Sequence, residues 1–393
     1  MAQRTIRAAA VLLLLFRAAL AWAQPASAPP IDTTLAEIDA LIAAAYQKDN
    51  IGSVAAGVVV GANLAWSKAY GWADPETKRP ASRETLYRIG SVTKQFTALA
   101  LLQLVEQAKA RVTDPLEKYV PEFRQVPTLF PEMQKVTLVQ LATMTSGLAR
   151  EPGGPADHSI GPVAGWEQKV LTALPTLKFA HEPDTRYLYS NIGYALLGMA
   201  VGRAAGQPFT TYVQERLVAP LGMSRTGWEV GALRPHVAKA FEIRGGKADG
   251  EQPQRELDGR GYRVPNGGLF STVEDLAKFV AWQLGESSVR LLKPEAQEDN
   301  YARVNSASGE LRSGYGIGFQ VSRRGDVVAY GHGGSTSGYR AAVLFDRRSK
   351  TGVIVLASVA GGAVNVSELA ITALQKLAAA RAVPAVASEA MAR

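Results

Sequence analysis

A serine followed three residues later by a lysine can do nucleophilic chemistry when one helix carries both, and Ser91-Val92-Thr93-Lys94 has that spacing. Gly90 breaks the run before it, and the apolar stretch from Gln95 to Leu102 continues as a helix, so Ser91 falls in the first turn. Residues three apart share a helix face, which brings the Lys94 amine towards the Ser91 hydroxyl. A serine hydroxyl is a weak nucleophile at neutral pH and needs an adjacent base. The helix start adds partial positive charge and backbone N–H groups suited to a developing oxyanion. A capping serine beside an exposed lysine fits the same four residues.

Two further segments carry residue types that would complete such a site. Tyr189-Ser190-Asn191 precedes an apolar helical run, which places Tyr189 in the loop before a helix start. A tyrosine next to a lysine cation can act as a base, and an asparagine side chain both donates and accepts. A core tyrosine beside a helix-capping asparagine is the plain alternative. His332-Gly333-Gly334-Ser335-Thr336-Ser337-Gly338-Tyr339 lies between two strand-like runs. Glycines weaken a strand unless something approaches the backbone closely. An acyl substrate lying alongside as an added strand gives that reason, and a glycine-rich hairpin with an incidental histidine gives another.

The elements around these segments read as follows. Thr34–Asp49 has helical apolar spacing, and Val54–Val60 with Leu64–Trp72 reads as a hairpin. Helices are expected at 91–108, 137–144, 165–174, 191–205, 209–219 and 271–284, the last opening with Ser271 and Glu274 at capping-box spacing. Tyr315–Ser322, Val327–Gly331, Tyr339–Phe345 and Val353–Val359 read as an antiparallel meander, followed by a helix at Ala363–Ala380. Strands at both ends with helices between them indicate an α+β unit whose terminal segments share a sheet. The glycine-rich stretches Arg150–Gly165 and Arg244–Arg263 are expected as loops bordering a site.

Composition narrows the chemistry. The chain has 393 residues and no cysteine, which excludes disulfides, thiolate metal sites and cysteine nucleophiles. Its four histidines form no zinc-binding His-Glu-x-x-His helix, and Gly246-Lys247 is followed by Ala248 rather than the Ser or Thr of a phosphate loop. No metal and no cofactor is therefore expected. Arg4 and Arg7 precede an apolar stretch from Ala8 to Phe16, and Ala21-Trp22-Ala23 offers small residues for cleavage, so residues 1–23 read as an export signal. Arg17 interrupts the run, and a stable membrane anchor is not expected. Loss of that segment takes away three arginines and no acid, lowering the formal charge from +8 to +5. The basic residues form no dense run, so no nucleic-acid partner is expected. Residues 24–33 read as a linker and 381–393 as a loose tail.

Taken together, the three motifs resemble the serine β-lactamase and penicillin-binding superfamily. The likeness is to the branch of class C β-lactamases, D,D-carboxypeptidases, D-aminopeptidases and family VIII-type esterases. That branch carries Ser-x-x-Lys, Tyr-x-Asn and a Lys- or His-x-Gly strand in this order. Leu141-Ala142-Thr143-Met144-Thr145-Ser146-Gly147-Leu148 is similar to a branch segment that often has histidine where Met144 stands. Asn191–Gly198, Ala219–Met223 and Gly267–Leu276 are also similar to branch segments, so the likeness covers roughly residues 35–375. It implies a β-lactamase/transpeptidase-like fold at 34–380, with a sheet lobe at about 34–90 and 300–380 and a helical lobe at about 91–299.

The resemblance also implies roles. Ser91 would be acylated, Lys94 and Tyr189 would share the base and proton-shuttle work, and Asn191 would orient Lys94 and substrate. Backbone N–H groups of Ser91 and Ser335 would form the oxyanion hole, on a substrate-binding strand of His332, Gly333, Gly334 and Ser335. His332 stands where many relatives have lysine, and a histidine of ordinary pKa would titrate near 6.5. It would then favour acidic substrates increasingly as pH falls. Gly333 replaces a threonine that helps hold a substrate carboxylate, a loss that Thr336, Ser337 or Arg340 could offset. The expectation is an exported, periplasmic or secreted, serine hydrolase acting on D-amino-acyl peptides or amides or on small esters. A D,D-carboxypeptidase or β-lactamase working on cell-wall peptides or β-lactams is the alternative, and a non-catalytic penicillin-binding sensor or scaffold is a third.

Overall fold

The computed structural model describes residues 30–154, 156–302, 305–306 and 312–381. The export signal expected at 1–23, most of the linker and the tail from 382 onward lie outside them. Ile31–Thr33, expected in the linker, instead opens the first helix.

Among the described residues, nine strands make one antiparallel sheet. They are β1 (Ser53–Val60), β2 (Asn63–Asp74), β3 (Arg79–Pro80), β4 (Asn305–Ser306), β5 (Ser313–Tyr315), β6 (Gln320–Arg324), β7 (Val327–Thr336), β8 (Tyr339–Asp346) and β9 (Thr351–Ala357). Their order across the sheet is β3-β2-β1-β9-β8-β7-β6-β5-β4. The seam between the two ends of the chain is β1 against β9, paired from Val54↔Ala357 to Val60↔Thr351. Both strands are valine-rich, with Ile354 and Leu356 added in β9, and are buried on both faces, which suits the middle of a covered sheet.

Strand alternation sends Val54, Ala56 and Val58 to one face and Ala55 and Val59 to the other. The first face is covered by α1 (Ile31–Asp49) and the C-terminal helix (Val366–Ala380), through Ile38, Ile42, Ala370, Ala373, Leu374 and Leu377. Against the second face lies the Val273–Gln283 helix. A Cβ on Gly57 would stand 2.5 Å from Val273, so a glycine is needed for that approach. Beyond it pack two helices buried on most sides, Thr93–Glu106 and Asn191–Ala205. In chain order these four later helices are α2 (Thr93–Glu106), α3 (Asn191–Ala205), α4 (Val273–Gln283) and α5 (Val366–Ala380).

Arg244–Arg263, expected as a loop, carries a strand at Lys247–Asp249 and a helix at Glu251–Arg255, and the strand expected at Val327–Gly331 runs on to Thr336. Three further expectations change in detail. Tyr315–Ser322 is two strands rather than one, because Gly316–Phe319 turns and Gly318, at φ +89°, packs where a side chain would strike Ala98 of α2. The cap of α4 is Thr272, whose hydroxyl accepts from the Asp275 N–H at 3.1 Å. Ser271 is instead in a two-residue strand and bonds Thr226. The helix expected at 209–219 is α-helical over Phe209–Val213 and continues as a wider π turn over Gln214–Val218.

Candidate active site

Ser91 lies in a 3₁₀ turn, Gly90–Val92, that runs directly into α2. In that tighter winding, side chains three apart come close to eclipsed, so Lys94 sits over Ser91 with Nζ 3.2 Å from Oγ. Lys94 has no exposed surface, and a buried cation is costly. Its Nζ also donates to Asn191 Oδ1 at 2.8 Å and to the Asn266 carbonyl at 2.8 Å. Burial holds the Lys94 pKa well below the usual lysine value; Glu151 opposes this, and Arg150, Arg260 and Arg263 reinforce it.

Tyr189 is positioned by the segment that ends at Gly147-Leu148. Met144, left-handed at φ +63°, accepts from the Leu188 N–H at 2.8 Å through its carbonyl and from the Ser190 N–H at 3.2 Å through its sulfur. The Ser190 hydroxyl then caps α3 by accepting from Gly193 N–H at 3.0 Å, which fixes Asn191 in the first helical turn. The Tyr189 ring lies between Lys94 Nζ, 4.9 Å from its centre, and the Arg150 guanidinium, 4.8 Å away. Burial raises the Tyr189 pKa, with the hydrogen bond to Ser91 and the charge of Arg150 pulling the other way. The phenol is therefore protonated at neutral pH.

Strand β7 runs past this group. Gly90, at φ +53°, could not carry a side chain, since its Cβ would lie 2.8 Å from the Ser335 nitrogen. A Cβ on Gly334 would strike the Ile89 carbonyl. These two glycines bring the Ser91 turn against the strand. On its other edge, β7 pairs with β6 only as far as Gly331, so the backbone from His332 to Ser335 borders the cleft without a β6 partner there. The Gln320 side chain crosses to that edge and accepts from the Gly333 N–H at 3.3 Å. Ser91, Tyr189, Asn191, His332, Gly333, Gly334 and Ser335 all line one cleft of about 810 Å³, with Lys94 beneath its floor.

His332 departs from expectation. It is 1% exposed, its Nδ1 lies 2.6 Å from the Gly333 carbonyl, and its Nε2 lies 3.0 Å from the Tyr315 hydroxyl. A carbonyl only accepts, so Nδ1 carries the hydrogen and Nε2 accepts from tyrosine. Burial, together with the charge of Lys94, pushes its pKa down to about 3. The ring stays neutral across ordinary pH, and the titration expected near 6.5 does not occur. Of the residues expected to offset the missing threonine, Arg340 lines the cleft, Thr336 is buried, and Ser337 is committed to Glu256 at 2.6 Å.

Several residues of the site escape sequence reading. Glu151 accepts from Asn191 Nδ2 at 2.6 Å, turning the other end of that amide towards Lys94. It is itself held by the Tyr262 hydroxyl and by Arg263 at 3.4 Å. Asn266 supplies the carbonyl for Lys94 and ties its own amide to the Asn191 carbonyl at 2.9 Å. The one available signal was composition, since Glu151, Arg260 and Arg263 lie in the two glycine-rich stretches expected to border a site.

The Beta-lactamase family model matches residues 38–378. Protein flp of Staphylococcus aureus (strain COL) is 26% identical over 324 residues, covering 82% of this chain and 62% of that protein. The chain thus spans less than two thirds of that relative's length. A penicillin-binding protein homologue from Pyrococcus abyssi, which is octameric, superposes with a TM-score of 0.73 at 25% identity, covering 87% of this chain and 77% of that one. EstCE1, a hydrolase with promiscuous acyltransferase activity, superposes with a TM-score of 0.73 at 20% identity, over 90% of this chain and 100% of that one. The fold is β-lactamase/transpeptidase-like, and the chain belongs to the Beta-lactamase family, within a superfamily of serine hydrolases.

Proposed function

We propose that this chain is a serine hydrolase that cleaves an ester or amide bond through an acyl-enzyme on Ser91. The observation that carries the reading is the surroundings of Lys94 Nζ. Two of its three partners, Asn191 Oδ1 and the Asn266 carbonyl, can only accept. As an ammonium Lys94 donates to all three; when neutral, its amine commits both N–H bonds to the two carbonyls and turns its lone pair to Ser91 Oγ, 3.2 Å away. Lys94 is thus the general base. Ser91 Oγ attacks the substrate carbonyl carbon as its proton passes to Lys94 Nζ. The carbonyl oxygen becomes an oxyanion held by the backbone N–H groups of Ser91 and Ser335. Collapse breaks the bond to the leaving group, which takes the Tyr189 phenolic proton, and Lys94 returns a proton to Tyr189. Water then attacks the acyl-enzyme with the same groups in the same roles, releasing the acid and restoring Ser91.

Small uncharged esters, with D-amino-acyl amides beside them, suit a cleft where His332 is neutral and Gly333 offers no hydroxyl. Arg150 and Arg340 on the wall favour a second reading, a D,D-carboxypeptidase or β-lactamase whose substrate bears a carboxylate. Export after cleavage behind Ala23 belongs to the same proposal. Intact-protein mass and turnover with p-nitrophenyl acetate, D-Ala-p-nitroanilide, a D-Ala-D-Ala peptide and a penicillin separate these substrates. Ser91→Ala should lose every adduct and all turnover while keeping the wild-type unfolding midpoint. Full single-site labelling of Ser91→Ala by a fluorophosphonate would refute the assignment.

A further inference from the structure

One carboxylate outside the reacting groups is tied to both walls of the cleft. Glu256 and Arg260 form an ion pair at 2.8 Å in which the side chains are 6% and 4% exposed. From this pair one arm runs to the base. Arg260 donates to the Gly267 carbonyl at 3.2 Å, and a Cβ on Gly267 would lie 3.0 Å from the same guanidinium nitrogen. The peptide so gripped is next to the Asn266 carbonyl that accepts from Lys94. The other arm runs to the strand, because Glu256 accepts from the Ser337 hydroxyl at 2.6 Å, two residues beyond Ser335. The buried Arg88 guanidinium anchors the assembly by donating to the Glu256 carbonyl at 2.5 Å and the Gly268 carbonyl at 2.6 Å.

We infer that Glu256 is a positioning residue for the Ser91–Lys94 pair: through Arg260 it fixes the peptide that holds Lys94, and through Ser337 it fixes the strand end that carries Ser335. The inference rests on the reading of Ser91 and Lys94 given above. Electrostatics agree with the geometry. Burial works against ionisation of Glu256, yet Arg260, Ser337 and Arg88 keep its carboxyl below the usual range. The charged groups that face Lys94 are Glu151, Arg150, Arg260 and Arg263, with the rings of Tyr189, Tyr194 and His332 around it. Glu256 balances one of those three guanidiniums. Without it, the Arg260 charge would act on Lys94 uncompensated and favour the neutral amine further.

The test compares wild type, Glu256→Gln, Glu256→Gln with Arg260→Gln, and Ser337→Ala. Acylation by p-nitrophenyl acetate is followed in single turnover. The Lys94 titration is read from ¹³Cε-labelled lysine, its resonance identified by its absence in Lys94→Met. Glu256→Gln should slow acylation by about tenfold or more, as misplacement of reacting groups does, with the apparent substrate dissociation constant little changed. Its Lys94 midpoint should move to lower pH. Adding Arg260→Gln should return the midpoint towards wild type and leave acylation slow. Ser337→Ala cuts only the strand arm, so it should slow acylation without moving the midpoint, and it serves where Glu256→Gln does not fold. Wild-type acylation rates in Glu256→Gln, or in Ser337→Ala when only that variant folds, overturn the inference. An unmoved Lys94 midpoint in a folded Glu256→Gln overturns it as well. No acylation of wild type, with the midpoint moving as stated, instead sinks the reading of Ser91 and leaves the brace on Lys94 standing.

Discussion

Because burial opposes the charged form of Lys94, its amine is free at a pH where an exposed lysine is a cation. kcat/KM should therefore fall as pH drops through the depressed Lys94 pKa, at lower pH than an exposed lysine would impose. Tyr189 should add no titration below pH 10, since its pKa is raised. Lys94→Ala and Tyr189→Phe should each lower kcat/KM by about 10²-fold or more, with less than additive effects in the double variant. Near-normal rates in Tyr189→Phe would remove tyrosine from the mechanism. Glu151 raises the Lys94 pKa, so its loss should shift the acid limb to lower pH. Glu151→Gln keeps an acceptor for Asn191 and should move the limb while largely sparing the rate. Glu151→Ala frees the amide and should both move the limb and slow the rate; pH–rate profiles of the pair decide the matter. His332 gives a stability prediction of definite sign. Its folded pKa of about 3 lies below the ordinary 6.5, so the unfolded chain binds the proton more readily between those values. The stabilisation is present above about pH 6.5 and is lost as pH falls towards 3. The ratio of kcat/KM for an acidic over a neutral ester should accordingly stay flat from pH 8 to 5.5, and a rising ratio would contradict a neutral ring.

At the scale of elements, the cleft depends on how closely the Gly90–Val92 turn approaches β7. Packing there is backbone against backbone, which tolerates no Cβ. Gly334→Ala places a methyl against the Ile89 carbonyl and must push the strand away from the Ser91 turn. Overpacking of this kind costs about 1–3 kcal/mol. A protein that remains folded should still lose most of its acylation rate, because the Ser335 N–H moves with the strand. Thermal unfolding together with single-turnover acylation measures both, and a folded Gly334→Ala with unchanged acylation would separate β7 from the reaction.

Over the whole molecule, the sheet closes by pairing β1 with β9, strands some three hundred residues apart, and α1 and α5 seal that seam on one face. The cleft reaches the sealed face only at the first turn of α5, through Val366 and Ser367, so the later turns of that helix can be weakened without touching the chemistry. Leu374 is fully buried there between α5 and the sheet. Leu374→Ala should cost about 2–5 kcal/mol in denaturant unfolding and leave kcat/KM at room temperature unchanged. A parallel loss of activity well below the unfolding transition would mean that the sealed face is coupled to the cleft.

The sequence by itself determined what repeats locally. A valine-rich apolar run marked β1, apolar residues at helical spacing marked α3 to the residue, and Ser91 with Lys94 were paired by a single turn of winding. Those signals depend only on neighbours a few positions away, and strand pleat and helix pitch convert them directly into geometry. Asn191 and Tyr189 were legible for the same reason, as the start of a helix and the loop before it. What the tertiary structure alone decided lies in contacts of long separation. Lys94 meets Asn266 across 172 positions, Asn191 meets Glu151 across 40, and Ser337 meets Glu256 across 81. The ionisation of His332 belongs here too. Its residue type supplies an ordinary pKa near 6.5, but burial beside Tyr315 and Lys94 sets the real one near 3. Desolvation and the field of distant charges depend on the packed whole, and no local pattern of residues encodes them.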